Sequence, residues 1–310
     1  MGHDHHQHGH HHGNANYGRA FAIGIGLNLA FVIVEFAYGQ IAHSLALVAD
    51  AGHNLSDVLS LFLAWGALLL SKRSPTAKRT YGLRRSSILA ALANSVILLV
   101  ALGAIAWEAV RRLAQPAAVA EQTVIWVATL GIVINTATAL LFYRGGKADM
   151  NIRGAFLHMI SDAAVSAGVV VGALTMARTG WYWLDPVVSL AICLVIMIGT
   201  WDLLKASLNL ALDAVPEGIE VAAVEAYLGS LPNVVGVHDL HVWGMSTTEA
   251  ALTTHLVMET PACDNAFLIR IERELHDRFG IEHATIQVET GDRNSHCPCR
   301  LTHGPAKAGA

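Results

Sequence analysis

Residues 50–57 read Asp50-Ala51-Gly52-His53-Asn54-Leu55-Ser56-Asp57, inside an otherwise apolar run from about residue 45 to residue 70. Positions 50, 53, 54 and 57 follow i, i+3, i+4, i+7, so on a helix they share one face. A run this long, without strand-like alternation, is expected to be a helix able to cross a hydrocarbon core of ~30 Å. A charged Asp in mid-span costs about 2.5–3.5 kcal/mol on insertion scales. The stripe therefore requires either protonation or a partner cation.

The pattern recurs at His158-Met159-Ile160-Ser161-Asp162, where Asn151, Ala155, His158, Asp162 and Ser166 form a second narrow stripe. Both pairs are His-x-x-x-Asp. No Lys or Arg lies deep in any apolar run, so a counter-charge from the protein is missing and an exchangeable cation supplies it. His53, Asp57, His158 and Asp162 together offer two imidazoles and two carboxylates. That is a full tetrahedral set for Zn²⁺, with bonds of about 2.0–2.2 Å. Imidazole argues against Mg²⁺ and Ca²⁺, which prefer oxygen alone, and leaves Cd²⁺, Co²⁺, Ni²⁺ and Fe²⁺ open. One such pair alone also reads as an interhelical hydrogen-bonding device. Two pairs of the same order in separate spans weigh against that reading.

Composition agrees with a membrane setting. Of 310 residues, 54% are hydrophobic and 14% charged, against roughly 25% charged in a typical soluble domain. Net charge is −4, with no basic patch interleaved with aromatics, so no nucleic-acid partner is expected. Cys193, Cys263, Cys297 and Cys299 are too scattered for a disulfide framework. The first residues are His-rich rather than basic-then-apolar, so no secretory signal is expected.

Four zones follow: a His-rich tail at 1–16, a membrane domain at 17–207, a small cytosolic domain at 208–291 and a loose tail at 292–310. The fold class expected is an all-α six-helix transmembrane domain plus a small α+β domain of order αββαβ. The spans fall near 19–40, 45–70, 87–110, 123–143, 154–177 and 185–206. By these limits Asp57 sits near mid-span and His158 nearer the cytoplasmic third. The linker between spans 2 and 3 carries Lys72, Arg73, Lys78, Arg79, Arg84 and Arg85, and that between spans 4 and 5 carries Arg144, Lys147 and Arg153. The opposite linkers have Arg111, Arg112 and Arg178. Basic linkers face the cytoplasm, which puts both termini inside. The location expected is a bacterial inner (plasma) membrane, crossed several times.

The last domain reads as helix Ile219–Leu231, strands Val234–Val242 and Ala250–Glu259, helix Ala266–Phe279 and strand Ala284–Glu289. It has no Gly-rich phosphate loop, so ATP use is not indicated. The site's chemistry sets the mechanism. Metal needs neutral His and ionised carboxylate, so metal and protons displace each other. A site opening alternately to each side is then a proton/metal antiporter, and an inward proton gradient drives metal out.

These motifs resemble the cation diffusion facilitator family. The resemblance rests on residues 50–57, Arg79-Thr80-Tyr81-Gly82-Leu83-Arg84-Arg85, His158–Ala163, Asp185-Pro186, His238-Asp239-Leu240-His241-Val242-Trp243 and Thr285–Glu289, and covers residues 17–290. It implies a homodimer of six-helix subunits with a metallochaperone-like cytosolic domain, exporting Zn²⁺ against H⁺. It assigns transport to His53, Asp57, His158 and Asp162, a set associated with zinc preference. It carries a cytosolic metal site to His238, His255 and Glu289, with His283 a further candidate and His241 a supporting residue beside Trp243. It also suggests that Arg85 pairs with a carboxylate at the membrane–cytosol junction, for which Asp213 is the natural partner. Ser71-Lys72-Arg73-Ser74-Pro75 has no His or carboxylate, so the further linker site of some members is expected to be absent. Cys297-Pro298-Cys299 beside His296 reads equally as a metal site with the N-terminal tail and as two spare thiols. His3, His5, His6, His8, His10, His11 and His12 read as a metal-collecting arm dispensable for transport.

Two rivals belong to other classes. An intramembrane metalloenzyme would need an open metal position and a motif such as H-E-x-x-H, which is absent. A membrane metal sensor would need a signalling segment, and no kinase or DNA-binding region is attached.

Overall fold

The computed structural model describes residues 17–71, 74–143, 150–260 and 264–290. The His-rich tail, the Lys72–Arg73 step, Arg144, Lys147 and the His296–Cys299 segment lie outside the described residues. Six long helices come first: α1 (Tyr17–Ile41), α2 (Leu45–Ser71), α3 (Ser86–Ala114), α4 (Glu121–Tyr143), α5 (Met150–Thr179) and α6 (Leu184–Ala211). Then come α7 (Val221–Gly229), β1 (Val234–Gly244), β2 (Ala250–Met258), α8 (Asn265–Phe279) and β3 (Ile281–Thr290). Among the described residues, four helical stretches are long and apolar enough to cross a membrane: Ser86–Ala114, Glu121–Leu140, Phe156–Thr179 and Leu184–Ala211. A further apolar stretch, Asn28–Ile41, is shorter.

Contacts group the chain into two compact units. The first holds residues 17–61 and 97–200. Its buried cluster includes Phe31, Leu47, Ala49, Leu102, Val124, Ala128, Val169, Ala173 and Ile192. Small residues let its helices close up. A Cβ on Gly131 of α4 would meet Phe31 Cζ at 2.7 Å and Ser166 Oγ at 3.2 Å, so glycine is what admits both neighbours. Buried Asp185, at the start of α6, accepts from Ser44 Oγ at 2.5 Å and from Leu45 N at 2.7 Å. A carboxylate there satisfies orphan donors at the N-terminus of α2 and opposes its dipole.

The second unit holds residues 62–96 and 201–290, and its sheet is ordered β1-β2-β3. β1 and β2 pair antiparallel, while β2 and β3 run parallel. The parallel pair needs a crossover, which α8 supplies. Asp264 caps α8, accepting from Phe267 N at 2.7 Å, and Gly280 ends it at φ 66°. Phe267, Ile271 and Leu275 recur every fourth residue and form its buried face. They pack with Val224, Leu228, Leu252, Leu256 and Ile281. Full burial of one such side chain is worth about 1.5–3 kcal/mol. Strands and helices fall where the alternation and helical spacing predict, with β1 and β3 a few residues longer. The extra length of β3, from Ile281, comes from its pairing with Ala250, a tertiary contact.

Residues leading into α3 dock within this unit. Arg84 Nη1 donates to Glu249 Oε2 at 3.0 Å, and Ser87 Oγ accepts from Thr247 N at 3.1 Å. Arg85 Nη2 donates to Asp213 Oδ1, the pairing expected from the sequence.

Candidate metal centre

Helical periodicity puts Asp50, His53, Asn54 and Asp57 on one face of α2, and His158, Asp162 and Ser166 on one face of α5. The two faces meet. His53 Nε2 lies 3.4 Å from Asp162 Oδ1 and 3.7 Å from Asp57 Oδ2. His158 Nε2 lies 3.2 Å from Asp57 Oδ2 and 3.7 Å from Asp162 Oδ2. Imidazole and carboxylate thus alternate around a ring of four. The ligand atoms of His53, Asp57 and Asp162 all lie within 4.8 Å of one another, and His158 closes the ring from one side. The two imidazoles stand edge to face with centroids 6.0 Å apart.

Burial grades across the ring. Asp162 is buried, His53 and Asp57 are intermediate, and His158 is the most open. Asp57 Oδ2 and Asp162 Oδ2 are shielded from solvent and make no hydrogen bond of good geometry. Buried acceptors without donors are costly, and a cation within the ring would serve both. The difference in depth expected for Asp57 and His158 does not keep them apart. α5 begins at Met150, so His158 lies two turns inside its helix. The side chains of Asn151 and Ala155 lie outside those described.

A second cluster sits on the sheet. His238 on β1 and His255 on β2 are register partners, and Glu289 on β3 lies opposite Val257, diagonal to His255. Period-two alternation brings all three to one face. Glu289 Oε2 is 3.1 Å from His238 Nε2, and its Oε1 is 2.8 Å from His255 Nδ1. Partial burial pushes the Glu289 carboxyl up, but hydrogen bonds and charge from His238 and His255 outweigh it and hold it below the ordinary carboxylate value. The ligand atoms of His238, His255 and Glu289 also lie within 4.8 Å of one another. Two imidazoles and a carboxylate suit a Zn²⁺-type cation.

His283 does not join this cluster, contrary to its candidacy from sequence. It shares a face of β3 with Glu289 but lies six residues away, about 20 Å along an extended strand. Its ring instead stands edge-on to Tyr81, at 5.7 Å. Asp239, which sequence reading passed over, reaches the cluster: Oδ2 lies 3.7 Å from His255 Nε2 and Oδ1 lies 3.1 Å from His241 Nε2. A register shift between His238 and His241, with Asp239 at φ 53°, turns it there. Glu35 was also missed. It is wholly buried in α1 and accepts from Asn54 Nδ2 at 3.1 Å. An acid inside an apolar run was the available signal.

Known proteins share this arrangement of sequence. The chain matches the cation efflux transmembrane domain over residues 21–210 and the cation efflux protein cytoplasmic domain over residues 216–291. It is 37% identical over 260 residues to the metal cation efflux system protein CzcD of Cupriavidus metallidurans, covering 84% of this chain and 82% of that protein. It is 35% identical over 277 residues to the zinc transporter ZitB of Escherichia coli, covering 89% and 85%. It is 34% identical over 269 residues to the cadmium, cobalt and zinc/H(+)-K(+) antiporter of Bacillus subtilis, covering 85% and 86%. The helical domain that supplies both His-x-x-x-Asp pairs is matched almost from end to end, and the chain belongs to the cation efflux family of multi-pass membrane transporters, the cation diffusion facilitators.

Proposed function

We propose that this chain exports zinc, or a close divalent relative, from the cytoplasm in exchange for protons, exposing one site alternately to the two sides of the membrane. The observation that carries the reading is the ring of His53, Asp57, His158 and Asp162, with cross-helix spacings of 3.2 and 3.4 Å. Neutral imidazoles and ionised carboxylates accept the metal, and proton loading ejects it. The names of the relatives, which mention zinc, cadmium, cobalt and H(+), support that substrate class.

In this reading all of α1 to α6 cross the bilayer, within a membrane domain spanning residues 17–207. The basic linkers and both termini face the cytoplasm of a bacterial inner membrane. The cytosolic domain, residues 208–291, pairs two subunits into a homodimer, supported by the match of residues 216–291 to the ZT_dimer family. His238, His255 and Glu289 hold a second metal ion there. The tail at 1–16 collects metal weakly and is dispensable, so its deletion should leave flux by correctly inserted protein intact.

The test is metal uptake into proteoliposomes under an imposed pH gradient, comparing Zn²⁺, Cd²⁺, Co²⁺, Fe²⁺ and Mn²⁺. Zn²⁺ is expected to lead, collapse of the gradient to stop uptake, and Asp57→Ala to be inactive at equal reconstitution. Zn²⁺ uptake indifferent to the gradient, or undiminished in Asp57→Ala, would refute the proposal.

A further inference from the structure

A second pair of acids lies beside the proposed metal ligands and outside the group whose ligand atoms gather within 4.8 Å of one another. Glu35 of α1 and Asp50 of α2 are both wholly buried. Asn54 Nδ2 donates to Glu35 Oε2 at 3.1 Å, and Ser166 Oγ donates to Asp50 Oδ2 at 2.9 Å. The two carboxyls are within hydrogen-bonding reach of each other. Each keeps one solvent-shielded oxygen without a donor, Oε1 of Glu35 and Oδ1 of Asp50. Asn54, itself wholly buried, adds a third such oxygen in Oδ1.

Adjacent carboxylates shut away from water cannot both stay ionised unless something positive lies between them. Orphaned buried acceptors ask for the same thing, a hydrogen to accept. One proton on either carboxyl turns the mutual contact into a hydrogen bond and leaves the pair with a single negative charge.

We propose that Glu35 and Asp50 share one proton while the transport site is empty and release it when a metal ion loads, making the pair a second proton-carrying site of the transport cycle. This rests on metal transport through His53, Asp57, His158 and Asp162. On release, the O–H bond breaks heterolytically and the proton leaves to water on the open side. The pair goes from one negative charge to two, and the dication supplies the balance.

The connection to the metal site is short. Asp50 stands three residues from His53 on one helix face, and Asn54 is the next residue after His53. Ser166 stands one turn, about 5.4 Å, from Asp162. The ionisable groups that act on the pair from the site are His53 on α2 and Asp162 on α5, with Asp57 and His158 completing the ring. α4, which packs on α1, has Glu121 in its first turn as its charged residue. Positive charge arriving within one or two turns, in a poorly screened interior, favours ionisation of a nearby carboxyl.

The experiment is infrared difference spectroscopy of the full-length protein in lipid, without and with Zn²⁺, on wild type, Glu35→Gln and Asp50→Asn. Wild type is expected to show the carbonyl stretch of a protonated carboxyl that disappears on Zn²⁺ addition. Both variants should lack that band before any metal is added. Calorimetric titration in buffers of different ionisation enthalpy should show protons released per Zn²⁺ falling by about one in each variant. A band that survives both substitutions overturns the proposal, and so does one indifferent to Zn²⁺ in wild type. If a variant no longer binds Zn²⁺, its metal-free spectrum still decides whether the pair carried the proton. Failure of wild type to bind or move Zn²⁺ would sink the transport reading and the coupling with it, while the metal-free band reports on the shared proton separately.

Discussion

Asp57 on α2 stands 3.2 Å from His158 on α5, closer than it stands to His53 on its own helix, at 3.7 Å. The same holds for Asp162, which is 3.4 Å from His53 across the gap and 3.7 Å from its helix-mate His158. The tightest contacts of the site therefore run between helices. A tetrahedron with metal–ligand bonds of about 2.0–2.1 Å has edges of about 3.3–3.4 Å, and the four contacts bracket that span. Each helix contributes one imidazole and one carboxylate, so if the ring holds a cation as proposed, a small separation of α2 from α5 would remove half its coordination at once.

Loss of one carboxylate should accordingly be severe. Removing outer-sphere partners of metal ligands alone costs about 10–100-fold in affinity, so Asp57→Ala and Asp162→Ala should each weaken Zn²⁺ binding by at least about 100-fold. Titration of the purified full-length variants, with the sheet cluster disabled by Glu289→Ala, measures this. A variant that binds as the parent does would remove that carboxylate from the ligand set.

The meeting of the residues in both candidate clusters was largely legible in the sequence, for different reasons. The membrane pairs stood out because His and Asp are expensive among apolar residues and their i, i+4 spacing is fixed by helical geometry. The sheet cluster was reached through family resemblance, because strand partners such as His238 and His255 lie far apart in sequence. His283 is a further candidate through the same resemblance, but it lies about 20 Å along the strand from Glu289. Asp239 was hidden for a related reason: a bulge turns it toward His255, and no spacing rule announces a bulge. The Asp185-Pro186 pair marks the opening of α6, yet Asp185 works as a cap for α2, a partnership across 140 residues.

The sheet site makes its own prediction. Glu289 is held below the ordinary carboxylate value, so it adds stability above the unfolded carboxylate range that is lost as pH falls through the folded value. The C-terminal segment proposed as a domain, residues 208–291, has its own buried core and, prepared without metal, is suitable for thermal melts. Its melting temperature should drop on acidification through and below the carboxylate range, and Glu289→Gln should blunt that drop. The same substitution should weaken Zn²⁺ binding to the domain. An acid limb identical in both proteins would show that the His238 and His255 contacts carry no stability.

At the alkaline end the reporter is Tyr227. Burial first, and then the negative charge of Glu274, push its phenol up to about 12. Arg278, stacked 4.7 Å from the ring centroid, works the other way. A raised folded value means that this contribution is full below the ordinary phenol range near 10 and is lost as pH rises through about 12. Tyr227 is the single tyrosine of residues 208–291, so tyrosinate absorbance of the isolated domain reports it alone. Its midpoint should lie well above 10 and coincide with, or precede, unfolding. Titration at the ordinary value with the fold intact would place the hydroxyl in water.

Asp185 tests how the membrane unit is pinned. Its carboxylate accepts from the Ser44 hydroxyl and the Leu45 amide, and all three residues are buried. Asp185→Ala strands those donors at the N-terminus of α2, the helix that carries His53 and Asp57. Losing a cap costs about 0.5–2 kcal/mol, and a buried unsatisfied donor about 1–3 kcal/mol. A loss of about 2 kcal/mol or more is therefore expected, seen as a melting temperature several degrees lower in detergent. Asp185→Asn keeps an acceptor oxygen and should lose less. Because Asp185 is not among the four proposed ligands, Zn²⁺ affinity of the folded fraction should stay close to wild type. A variant that melts like wild type but binds Zn²⁺ poorly would reverse that assignment, making Asp185 part of the transport machinery instead of a support for α2.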